Sequence, residues 1–261
     1  MRWVKYKQVI ENFFSLSILN ALNVLLPLVT LPYMLHVVGK ANYGAYSYVY
    51  AVVQYVILFS TYGFNFSATK QISQCRDDKE KVSKIYNAVT ASKTLIALSL
   101  SVLLLLCAKL VFKDGVGTLM FVYGLGMVIG DVLTPIWLFQ GMEKMKYMTI
   151  VNASSKILFT ILIFIVVRAS EDYQLLILLN SCGYLLAGVL SLILVCRQFH
   201  LRLHWATWSD IRMQLKEGSA VFGSTFGMNL YRNANVIILK QFVSDDIVGL
   251  YSAAEKVIKG F

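Results

Sequence analysis

The sequence predicts an all-α polytopic transmembrane helix bundle, and three observations predict it. The first is composition: 57% of the 261 residues are hydrophobic, 15% are charged and the mean hydropathy is +0.64, against roughly 25% charged residues in soluble domains. A water-soluble fold of this length could not hide so much apolar surface, so the excess faces lipid. The second is patterning. Lipid admits only helices or closed barrels, because an unpaired backbone group there costs several kcal/mol. Barrel strands alternate apolar and polar residues, whereas 94–106 and 157–167 run largely apolar. The third is where the charge sits. The net charge of +10 comes from short Lys and Arg clusters between apolar stretches, which is a topology signal and not a face for nucleic acid.

A crossing helix needs about 20 apolar residues. About seven stretches qualify, 13–38, 43–65, 86–108, 117–140, 148–167, 173–196 and 218–243, and an eighth begins at the end of the chain. The first is long, carries Asn20 and Asn23 and has no small-x-small cleavage site, so it is expected to remain as a membrane helix and not to be removed as a signal peptide. Arg2, Lys5 and Lys7 precede it. Lys70, Arg76, Lys79, Lys81 and Lys84 follow the second stretch, Lys144 and Lys146 the fourth, and Arg197, Arg202, Arg212 and Lys216 the sixth. All these fall on one side, and the opposite loops are poorer in cations, so the positive-inside rule puts the amino terminus in the cytoplasm.

Between the sixth and seventh stretches, 197–216 combines basic residues with Trp205 and Trp208. That mixture fits a segment lying in the membrane interface, and equally an ordinary charged loop with two tryptophans. Cys75, Cys107, Cys182 and Cys196 show neither CxxC spacing nor a histidine at metal-ligand distance, so free thiols are expected and no metal or cofactor is called for.

The chain also repeats itself. Residues 38–47 and 243–252 share Val, Gly, Tyr and Ser without a gap, at Val38 and Val243, Gly44 and Gly249, Tyr46 and Tyr251, Ser47 and Ser252. Each copy follows a helix crossing in the same direction, which is the parallel-repeat arrangement of two-lobe transporters. The expected organisation is therefore a six-helix lobe at 1–196, a connector at 197–217 and the start of a second lobe at 218–261. The chain reads as a fragment whose second half has barely begun.

Four segments carry a resemblance: Gly39 to Ser47, Gly63 to Lys70, Pro135 to Met145 and Gly249 to Lys256. With them the chain resembles the Wzx-type polysaccharide flippases of the multidrug/oligosaccharidyl-lipid/polysaccharide exporter superfamily. The resemblance runs along nearly all of the chain, and its specificity lies in the order and spacing of the segments. It implies a flippase of the bacterial inner membrane, not an enzyme, that carries an undecaprenyl-pyrophosphate-linked oligosaccharide such as an O-antigen unit from the cytoplasmic to the periplasmic leaflet. The implied partners are that lipid-linked sugar, membrane lipids and other polysaccharide assembly proteins. Family members usually have about twelve spans, more than this chain holds.

A charge near the bilayer centre costs roughly 2.5–3.5 kcal/mol, so intramembrane cations mark candidate sites. Asn229, Arg232, Asn233 and Lys240 share one helical face of the seventh stretch. With Lys93 and Lys156, Arg232 is expected to line a cationic cavity that attracts the pyrophosphate, Asn229 and Asn233 lining it beside them. Asp131 and Glu255 are candidates for coupling or for ion pairs, and Asp131 is the natural partner if Lys93 or Lys156 is neutralised internally. Pro27, Pro32 and Pro135 are the expected kink positions. Rival readings are a membrane glycosyltransferase or polymerase, a drug or ion antiporter of the same superfamily, and an inactive truncated product. The polar connectors contain no glycine-rich phosphate loop and no Asp and His cluster, which disfavours the enzyme.

Overall fold

A computed structural model describes residues 2–111 and 116–258, and among them every regular element is helical. Ten α-helices follow one another: α1 (Arg2–Val37), α2 (Lys40–Thr61), α3 (Phe64–Gln74), α4 (Lys79–Val111), α5 (Val116–Leu133), α6 (Ile136–Gly141), α7 (Met145–Val166), α8 (Leu175–Arg197), α9 (Trp208–Phe242) and α10 (Asp245–Ile258), with a short 3₁₀ turn at Ser170–Gln174. Among the described residues, six stretches are long and apolar enough to cross a membrane: Ile10–Val37, Lys40–Gln74, Lys79–Leu110, Gly117–Gly141, Met145–Val166 and Ser170–Arg197. The expected seventh stretch is helical within α9, but part of it lies outside the described side chains.

Successive crossing stretches alternate in direction, so stretches four apart run parallel, as cross-contacts show. Along α1 and α7, Asn12 meets Met145, Ser15 meets Thr149, Asn23 meets Lys156 and Tyr33 meets Val167, so the two run parallel. Along α2 and α8, Tyr46 meets Asn180 and Gln54 meets Tyr184, so these run parallel too. The loops therefore gather at two ends. At one, Arg76 pairs with Glu143 at 2.6 Å and Ser83 accepts from the Arg202 amide at 2.9 Å. At the other, the Asn42 amide donates to the Ser170 carbonyl at 3.1 Å. The first end collects Arg76, Lys79, Lys81, Lys84, Lys144 and Arg202, as charge spacing predicts.

Close helix packing rests on small residues. A Cβ on Gly130 would sit 2.3 Å from the Tyr184 backbone and one on Gly183 2.8 Å from the Ser155 carbonyl, which brings α5 and α7 against α8 without an intervening side chain. One apolar cluster built around Tyr43, Tyr46, Val53, Met127, Ile163 and Leu176 runs through the middle. A second, at the basic end, joins Phe64, Tyr86, Trp137, Phe139 and Phe199. Trp137, Leu138 and Phe139, within the Pro135 to Met145 segment, are all buried there. Large apolar side chains such as Phe13, Leu98, Leu106 and Ile165 stay exposed on the outside, where lipid covers them. The four cysteines are free.

Candidate functional site in the helix bundle

Polar residues placed inside apolar helices converge on one cavity of about 290 Å³, walled by α1, α2, α7, α8 and α10, with the α5–α6 turn contributing. In α1, Pro27 has no N–H to give the carbonyl one turn earlier, and the Thr30 hydroxyl donates to the Leu26 carbonyl at 3.0 Å. Both residues face the cavity. The α2 wall brings Tyr46 and Tyr50, and the α8 wall brings Asn180 and Tyr184. They are tied together: the Asn180 amide donates to the Tyr46 hydroxyl at 3.0 Å, and the Gln54 amide to the Tyr184 hydroxyl at 3.2 Å.

Two ammonium groups reach this wall. Lys156 of α7 donates to the side-chain carbonyl of Asn23 in α1. Lys256 of α10 places its Nζ 5.6–5.7 Å from the ring centroids of Tyr43, Tyr46 and Tyr50, within cation–π range of all three. Tyr43 and Tyr46 are themselves fully buried, so the rings form a rigid seat. Among the described lining residues the one carboxylate is Asp131, and it is already engaged: Lys93 of α4 lies 2.8 Å from its Oδ2 and donates to its backbone carbonyl at 2.7 Å. With that pair neutral, the cavity carries positive charge beside hydroxyl and amide groups. Such a site suits an anion that also bears hydrogen-bonding groups.

The expected cation set is thus partly rearranged. Lys156 lines the cavity. Lys93 does not: it is 4% exposed and satisfied by Asp131, the internal ion pair that was the alternative reading, because a buried ammonium takes the nearest carboxylate sooner than an open cavity. Glu255 is half-buried on α10, next to Lys256 in sequence. Asn229, Arg232 and Asn233 fall in α9, but their side chains lie outside the described residues. Lys240 is paired with Asp245. Sequence reasoning missed Lys256. Its signal was the spacing of Gly249, Ser252, Ala253 and Lys256 on one face of α10, the face whose first three members are buried.

That face is where the two copies of the internal repeat meet. A Cβ on Gly44 would fall 2.0 Å from the Asp245 carbonyl, and one on Gly249 would fall 2.2 Å from the Lys40 carbonyl. Gly249 stands to Gly44 as Asp245 stands to Lys40, so the contact is reciprocal, and α2 and α10 touch backbone to backbone.

The polysaccharide biosynthesis protein family matches residues 9–259. The chain belongs to this family. Two curated relatives, from Escherichia coli (strain K12) and Shigella dysenteriae, both bear the name "Putative O-antigen transporter". They are 32% and 28% identical to the chain over 247 and 248 residues, in each case 95% of it. The chain spans 60% and 62% of their lengths. No solved structure matches significantly. The relatives are named as transporters and not as enzymes. With six crossing-length helical stretches among the described residues, this family member is a multi-pass membrane protein.

Proposed function

We propose that this chain supplies the first lobe (1–196), the connector (197–217) and the beginning of the second lobe (218–261) of a flippase in the bacterial inner membrane. Its cargo is an undecaprenyl-pyrophosphate-linked oligosaccharide, an O-antigen or similar repeat unit, moved from the cytoplasmic to the periplasmic leaflet by alternating access. The basic end of the bundle, and with it the amino terminus, faces the cytoplasm. The observation that carries the reading is the cavity in which Lys156 and Lys256 stand beside Tyr46, Tyr50, Asn180 and Tyr184.

Intramembrane cations are costly and persist where an anion or a cavity uses them. Ammonium groups make charge-assisted bonds to phosphate oxygens, and the hydroxyl and amide groups meet sugar hydroxyls. The Lys93–Asp131 pair holds α4 against α5, and Arg232, Asn229 and Asn233 are kept in this reading as cargo-binding candidates on the sequence alone. Glu255 is the remaining coupling candidate. The backbone contact through Gly44 and Gly249 lets α2 and α10 part and rejoin as whole helices, as rocking lobes require.

Complementation tests this. In bacteria lacking their own O-antigen transporter, the chain extended to the length of its curated relatives should restore surface polysaccharide. K156Q and K256Q should each lower it by about tenfold, the worth of one charge-assisted bond, at unchanged membrane abundance. Normal surface polysaccharide in K256Q would refute the cavity as the binding site.

A further inference from the structure

We infer that the connector between α8 and α9 is an interfacial anchor that binds anionic phospholipid headgroups, with Trp205 and Trp208 as its apolar feet. The argument starts from how this segment is held. The Asn87 amide donates to the Arg202 carbonyl at 2.8 Å, and Asn87 Oδ1 accepts from the His204 amide at 3.1 Å. The Arg202 amide in turn donates to the Ser83 hydroxyl at 2.9 Å. Leu201 is buried with Phe199 in the aromatic cluster. Thr207 then caps α9 by accepting from the Asp210 amide, and Asp210 pairs with Lys84 at 3.1 Å. One turn on, Gln214 is fully buried and exchanges two amide hydrogen bonds with Gln71 of α3, at 2.9 and 3.1 Å. The connector is therefore a fixed part of the bundle surface.

Those same bonds set its depth. Asn87 lies where α4 passes from its charged first turns, with Lys79, Lys81 and Lys84, into the apolar run that crosses the bilayer. A segment bonded to Asn87 sits at the boundary between headgroups and hydrocarbon. There it presents Trp205, 98% exposed, with Trp208, Leu203 and Met213 also exposed. Exposed tryptophans on a rigid surface at that level match the interfacial preference of indole. Arg202, Arg212 and Lys216 are exposed around them, and Arg212 follows Trp208 by one turn on the same face. Of the nearby carboxylates, that of Asp210 is occupied by Lys84 and Thr207, which leaves the exposed Glu217 against three exposed cations. Charge complementarity thus selects anionic lipid, each surface cation giving about a fivefold bias.

The experiment places the chain in bilayer discs and reads tryptophan fluorescence quenched by lipids brominated at shallow or deep chain positions. W205F/W208F serves as the subtracted reference, so the buried Trp137 stays intact. The expected difference signal is quenched about twofold more by shallow than by deep bromines, and more by brominated phosphatidylglycerol than by brominated phosphatidylcholine. R202Q/R212Q should erase the headgroup preference while keeping the depth profile. A difference signal quenched by aqueous iodide and by no bromolipid overturns the inference, as does a W205–W208 patch protected from both by a protein partner. Equal quenching by both headgroups overturns its anionic part. None of these readings depends on transport, so failure here leaves the flippase proposal standing.

Discussion

Separating the two halves of the Lys93–Asp131 pair gives an asymmetric result that the geometry predicts. Breaking a buried ion pair by removing one partner costs about 3–5 kcal/mol, because a charge is left uncompensated. Asp131→Asn strands Lys93, whose side chain is 5% exposed. One of its two oxygen contacts survives, the Asp131 backbone carbonyl at 2.7 Å, so the cost falls to the lower end, about 3 kcal/mol. Lys93→Met instead strands a carboxylate that is 15% exposed and borders the cavity. Water reaches it there, and the cost drops to about 1–2 kcal/mol. Lys93→Met combined with Asp131→Asn removes both charges and returns most of the loss. The assay is the fraction of protein that stays monodisperse in detergent after heating, read for the four members of the cycle. The expected order of stability is wild type close to the double variant, then K93M, then D131N. If neither K93M nor D131N lost stability, or if their losses simply added in the double variant, the pairing argument would be wrong. Lys93 would then return as a candidate cavity cation.

Other outcomes follow from single contacts. Gly44→Ala would put a methyl 2.0 Å from the Asp245 carbonyl, so α2 and α10 must separate, at about 1–3 kcal/mol; cysteines introduced at 40 and 245 should cross-link more slowly in G44A than in its parent, and an unchanged rate would count against the contact. Asn87→Ala removes both bonds to the connector and should cost about 1–3 kcal/mol, read as faster proteolysis within 200–207 with the rest of the chain resistant. The Thr207 hydroxyl, helped by Lys84, holds the Asp210 carboxyl below its ordinary value. A depressed folded-state value means that its contribution is present above about pH 4 and is lost as pH falls below it. The same proteolysis should therefore accelerate as pH falls below about 4, and D210N should lack that acid step.

How much was legible in advance divides along physical lines. Composition and the length of the apolar runs were enough for an all-helical membrane bundle, because the hydrocarbon core imposes span length and backbone pairing on any sequence. Charge spacing placed the basic residues at a common end, since that too is a property of short loops. The polar character of Asn23, Lys156 and Asp131 within apolar helices marked them as special for the same energetic reason. What each polar residue faces was decided elsewhere. Whether Lys93 meets the cavity or a carboxylate depends on how α4 is rotated against α5, and both are lipid-compatible helices whose apolar surfaces look alike from every side. Lys256 was legible as a member of a helical face, but its seat among Tyr43, Tyr46 and Tyr50 exists because Gly44 and Gly249, far apart in the chain, let two backbones touch. The connector shows the same division: its tryptophans and arginines were plain in sequence, and its fixed place on the bundle came from Ser83 and Asn87 reaching it from α4. Sequence by itself determined which segments must enter the bilayer, because that is a local cost paid residue by residue. Only the tertiary structure decided which charges are paired and which stand in the cavity, because that is set by distances between helices that no local pattern encodes.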